Sequence, residues 1–149
     1  MKKYSLIVVM ILSVAFLFSS VSSADENKLR TCSKCGKEIK AENKKFSVVQ
    51  KDASKPVAFD DIGCAVVWRD NQCTAIQMAF DATAKVYDFY SEEEIDLSSA
   101  YFVKDANTQS PGGHGIAAFK DKKSADTFMS HHGGQKVLTY DDLLLLNLQ

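Results

Sequence analysis

Apolar positions fall into two regimes along the 149 residues. Near the start they form one unbroken run, LIVVMILSVAFLF from Leu6 to Phe18. Beyond residue 40 they come in short clusters rich in β-branched and aromatic residues and bounded by turn formers. FSVV (46–49), PVAF (56–59), KVYDFY (85–90), AYFV (100–103), IAAF (116–119) and KVLTY (136–140) predict strands on this pattern. Two stretches carry helical spacing instead. IGCAVVWRDN follows Asp60 and Asp61, either of which can cap a helix, and KDKKSADTFMSHH sets Ala125, Phe128 and Met129 on one face. Gly133-Gly134 ends the second helix. NQCTAIQMAFDATA reads as a short helix or an irregular connection. SEEEIDLSS reads as an acidic turn, and DDLLLLNLQ as a short helix capped by an aspartate or a strand extension.

The first apolar run changes meaning with its flanks. Lys2 and Lys3 precede it and SSVSSA follows, so residues 1–24 read as a secretory signal cut after Ala24. The run is shorter than the ~20 residues that span a bilayer. No cysteine precedes residue 32, so the boundary carries no lipid-attachment site, and no other apolar run approaches spanning length. The expected product is exported, periplasmic or otherwise, and soluble, with no stable membrane anchor after cleavage. Of 18 basic and 19 acidic residues the segment removes Lys2 and Lys3, which leaves 16 against 19 and a net charge of −3. That excludes nucleic acid as the expected partner, because phosphate binding needs a basic surface.

An internal repeat is visible. VAFDDIGCAVVW (57–68) lies over AAFKDKKSADTF (117–128) without a gap, with Ala58/Ala118, Phe59/Phe119, Asp61/Asp121 and Ala65/Ala125 identical. Each copy has a strand before and after it. The expected fold is α+β, built of two tandem β-β-α-β units at 25–99 and 100–149.

Four cysteines carry the candidate chemistry. Cys32 and Cys35 form CxxCG, a tight turn that can aim two sulfurs at one ion. Cys64 lies in the first turn of the first predicted helix, where the helix dipole is expected to favour a thiolate. Cys73 follows nine residues later. Zinc wants four ligands in a tetrahedral site and no second CxxC or HxxxH is present, so the short inventory of soft donors suits Cu(I) better, with Zn as the alternative. Two disulfides remain open for an even cysteine count in an oxidising compartment, including Cys64–Cys73, as does a redox CxxC. His114, in the loop SPGGHGI, is a candidate ligand. His131 and His132 suit a helix C-terminus. Met78 and Met129 read as core. No serine–histidine–aspartate set, paired carboxylates or phosphate loop stands out, so an enzyme is not expected.

CxxCG-x-x-I, FDDIGC, VYDFYSEEEIDLSSAYFV, SPGGHGIAAF and HHGGQKVLTYDDL, in this order, resemble the NosL family of nitrous oxide reductase accessory proteins. The resemblance spans roughly 32–145, and Cys32, Cys35 and Cys64 fall on its motif positions. It implies a periplasmic Cu(I) chaperone that delivers copper to a client enzyme, nitrous oxide reductase or a relative. Where many members carry methionine after CxxCG this chain has Lys37, and where many have a Pro-Met-Gly turn it has Pro111, Gly112 and Gly113. The expected copper ligands are therefore thiolates, with His114.

Overall fold

The β-forming clusters pair into two antiparallel sheets in the computed structural model, which describes residues 29–105 and 107–148. The signal segment read at 1–24 lies outside the described residues. The first sheet contains β1 (Val48–Gln50), β2 (Val57–Phe59), β3 (Lys85–Tyr87) and β4 (Glu94–Asp96), in the order β2-β1-β3-β4. Helices α1 (Ile62–Asp70) and α2 (Thr74–Thr83) connect β2 to β3. The second sheet contains β5 (Tyr101–Lys104), β6 (Ile116–Phe119) and β7 (Val137–Leu138), in the order β6-β5-β7. Helix α3 (Lys122–His132) joins β6 to β7, and α4 (Tyr140–Leu144) follows. The class is α+β.

In both sheets the strand that comes first in sequence lies between the next two of its series. Ring pairs correspond as well: Phe59 lies 5.3 Å from Trp68, and Phe119 lies 5.1 Å from Phe128. The apolar interior is shared. Phe59, Ile62, Val66, Phe80 and Val86 from the first sheet and its helices form one cluster with Phe102, Ile116, Leu138 and Leu143. The opposite face of β5 carries Val103, which packs with Phe119, Ala125 and Phe128 in a separate cluster.

Three elements differ from the sequence reading, and a fourth, left open there, is decided. Residues Ala41–Phe46 form a 3-10 helix, so Phe46 ends that helix and the strand begins at Val48. Its ring meets Phe89 edge-on at 5.9 Å, a contact the alternation of FSVV does not reveal. The acidic stretch contains a strand, β4, because its charges are paired across the sheet: Lys51 and the Tyr87 hydroxyl donate to Glu94, and Lys85 donates to Asp96. Cross-strand pairing of opposite charges removes the polar penalty that suggested a turn. Residues 74–83 are helical throughout. KVLTY gives only a two-residue strand, since Thr139 leaves it to cap α4. The Thr139 hydroxyl accepts from the Asp142 N–H at 3.3 Å, and the Asp142 carboxylate accepts from the Thr139 N–H at 3.0 Å, a capping box led by threonine rather than an aspartate. Met78 is not core: it is 68% exposed on α2. Met129 packs partly buried against Phe128's cluster.

Candidate metal centre

The CxxC segment is a small hairpin held at both ends. Thr31 bridges Glu38, Cys32 N–H donates to Lys37 O at 2.8 Å, and Gly36 N–H donates to Cys32 O at 2.9 Å. Gly36 closes the turn at φ 75°, the left-handed region that glycine enters without steric cost. The hairpin docks on the outer edge of β2, where Ser33 N–H donates to Ala58 O at 2.8 Å. β2 then runs into Asp60, Asp61 and α1. Asp61 is the N-cap, accepting from Gly63 N–H at 2.7 Å, and Cys64 sits in the first turn.

This arrangement gathers Cys32, Cys35, Cys64 and Asp60, whose ligand atoms all lie within 4.8 Å of one another. Cys32, Cys64 and Asp60 are buried and Cys35 is exposed. The Cys35 thiol approaches both Asp60 oxygens at 3.8 Å. A second group, Asp61, Cys64 and His114, meets within the same 4.8 Å and shares Cys64 with the first. His114 is therefore not an exposed loop residue. Its Nδ1 lies 2.8 Å from Asp61 Oδ1 and its side chain is 10% exposed. Cys73 stands exposed just before α2 and outside both groups. The four cysteines are unbridged here, with Cys64 buried in the cluster and Cys73 exposed outside it. His132 stacks on Phe128 at 4.4 Å at the end of α3, away from the sulfurs.

The electrostatics correct one expectation. The helix start does not make Cys64 the thiolate. Its thiol hydrogen-bonds to Cys32, and this, with burial and the negative charge of Cys32, pushes Cys64 well above the ordinary thiol range. Cys32 is the group lowered, from 9.0 to about 4, chiefly because Cys64 donates to it and outweighs the cost of its own burial. Cys35 is raised, first by desolvation, and Asp60 is raised to about 6 by desolvation and by Cys32. A donated hydrogen bond stabilises the charged acceptor, and the donor then holds its proton more tightly. A Cys64→Ala chain should thus lose the Cys32 thiolate near neutral pH, while Cys64→Ser, which keeps a donor, retains it. The ultraviolet thiolate band of the metal-free protein, titrated from pH 4 to 9, reads this directly. Equal titration curves for the two variants would remove the Cys64 donor from the account.

The sequence model of the NosL family matches residues 24–145. The chain belongs to the NosL family. The crystal structure of the copper chaperone NosL from Shewanella denitrificans is similar in fold, with a TM-score of 0.54 at 20% identity, over 82% of this chain and 93% of that one. No curated protein matches it by sequence. Within this NosL-family chain, sequence reasoning finds three of the four groups around the sulfur cluster and passes over Asp60. In sequence Asp60 reads only as a helix cap; the cap is its neighbour, which leaves Asp60 facing the sulfurs. The link between Asp61 and His114, 53 residues apart, has no sequence signal beyond the aspartate doublet.

Proposed function

We propose that this protein is an exported Cu(I) carrier that binds the ion at Cys32, Cys35 and Cys64, with His114 alongside, and passes it to a client copper enzyme, nitrous oxide reductase or a relative. The reading rests on one observation above all: three sulfurs converge within 4.8 Å of one another. Soft thiolates select Cu(I), and a low-coordinate site lets an incoming ligand attack before the old ones leave. Family membership and the copper-chaperone neighbour support the same class. Carriage involves no turnover of substrate, so we read the chain as a non-enzyme. The β-β-α-β division at 25–99 and 100–149 belongs to this proposal too; the like strand orders support it, and on it the three sulfur ligands come from the first unit, with Cys64 opposite Ser124, while His114 comes from the second.

Asp60 gives Zn(II) a specific claim, because three sulfurs and one carboxylate oxygen are a tetrahedral set. Anaerobic titration of the reduced residues 25–149 with Cu(I) against a competing chelator, run in parallel with Zn(II), tests both. One-to-one Cu(I) uptake with a thiolate-to-copper absorption band is the expected outcome. Failure to compete with a weak chelator would sink the carrier reading. In that event a count of free thiols near zero in exported protein would favour a disulfide-stabilised interaction domain, and catalytic reduction of a model disulfide would favour a redox role for CxxC.

A further inference from the structure

The carboxylate of Asp61 does more than cap a helix. It is 1% exposed, and both of its oxygens are occupied. Oδ1 accepts from Gly63 N–H at 2.7 Å and faces His114 Nδ1 at 2.8 Å, while Oδ2 accepts from the Ser110 hydroxyl and from Gly112 N–H at 2.9 Å. Four partners fill the acceptor capacity of a carboxylate, which leaves none for a metal. The aspartate at the matching place before α3 behaves differently. Asp121 turns to its own helix, accepting from both N–H and hydroxyl of Ser124 at 2.9 Å. Where the second unit has that serine the first has Cys64, and its aspartate reaches across to the 110–114 loop instead.

Gly63 completes the seat. A Cβ built there would lie 2.1 Å from His114 Cγ and 2.5 Å from Cδ2, so the imidazole lies against the backbone of the first turn of α1 in space that only glycine leaves open.

We propose that Asp61 is the positioning residue for His114: it holds the ring beside Cys64 with Nδ1 as donor, which assigns metal ligation to Nε2. This rests on the copper-carrier reading and specifies its imidazole ligand. A carboxylate behind a ligating imidazole fixes ring orientation and tautomer and raises the basicity of the other nitrogen.

The test uses residues 25–149 labelled with ¹⁵N-histidine, with and without Cu(I). In the metal-free protein, His114 should show the Nδ1–H tautomer, and Asp61→Asn with its amide N–H in place of the oxygen that Gly63 and His114 share, which gives up the cap bond to Gly63, should shift it towards Nε2–H. Cu(I) affinity should fall about tenfold to a hundredfold in Asp61→Asn. It should fall no further in Asp61→Asn/His114→Ala than in His114→Ala alone. Gly63→Ala tests the same seat without touching the carboxylate, and alanine is the better helix former. It should bind Cu(I) like His114→Ala with its helical circular dichroism unchanged, and it carries the test if Asp61→Asn does not fold. An Nε2–H tautomer in the unaltered chain, additive losses in the double variant, or full affinity in Gly63→Ala would overturn the assignment while leaving copper carriage intact. If the unaltered chain takes up no Cu(I), the carrier reading falls and the assignment with it.

Discussion

A Cys32→Ser chain is expected to bind Cu(I) more than about a hundredfold more weakly, beyond the cost of losing an outer partner of a metal ligand. The argument is one of charge before softness. Cys32 is the only cysteine of the cluster held as a thiolate at neutral pH, at about 4, so copper meets a ready anion there. Cys35 and Cys64 are both raised and must each release a proton to bind. Serine removes the soft anion, and it also removes the acceptor towards which Cys64 donates. Two consequences separate this from general damage. The unaltered chain keeps its Cys32 ligand as pH falls until about pH 4. Both chains must deprotonate Cys35 and Cys64, and the variant loses the Cys32 charge that raises Cys64, so its weaker affinity should rise with pH between about 6 and 9 no more steeply than that of the unaltered chain. Cys73→Ser, at an exposed position outside the cluster, should bind as the unaltered chain does. Chelator competition for all three proteins across that pH range is the measurement, and equal affinity of Cys32→Ser and Cys73→Ser would sink the site.

Much of this site is written in local sequence, and what sequence misses is non-local. The CxxCG turn, the aspartate-capped start of α1 and the strand that feeds it are each decided within a few residues. Cys32, Cys35 and Cys64 can thus be named before any fold is known. Which of them is charged cannot, because that depends on the direction of one thiol hydrogen bond between Cys32 and Cys64, far apart in the chain. The helix dipole, the only local influence available, points to Cys64, and a neighbouring sulfur outweighs it. Asp60 and Asp61 take different jobs because adjacent residues of an extended segment face opposite ways, and Asp61 is still extended at φ −150°, so one meets the sulfurs and the other the distant 110–114 loop. The strand at Glu94–Asp96 is hidden because its acids are neutralised by Lys51 and Lys85 from outside the acidic stretch. The limit of KVLTY is hidden because a capping threonine and a strand threonine look alike until Asp142 folds back.

Phe59→Ala should be the most destabilising of the single changes considered, at about 3–5 kcal/mol, the usual cost of emptying a buried aromatic site. Phe59 is fully buried, and its ring lies 5.3 Å from Trp68 and 5.9 Å from Phe80, which are 5.5 Å from each other. The three rings come from β2, α1 and α2, so none of these elements can close over the space alone. A loss of that size is a large share of the ~5–15 kcal/mol that holds a domain folded. The effect should reach the metal centre, because Phe59 immediately precedes Asp60 and Asp61, and Ala58 anchors the CxxC hairpin through Ser33. Bound Cu(I) should then restore part of the lost stability, since a ligand that binds only the folded chain stabilises it by mass action. Urea unfolding of Phe59→Ala with and without equimolar Cu(I) measures both effects. A loss under about 1 kcal/mol, the size of an ordinary surface change or little more, would mean that the rings do not form a shared core. A loss of the expected size with no rescue by Cu(I) would mean that the sulfur cluster is not assembled by β2 and α1.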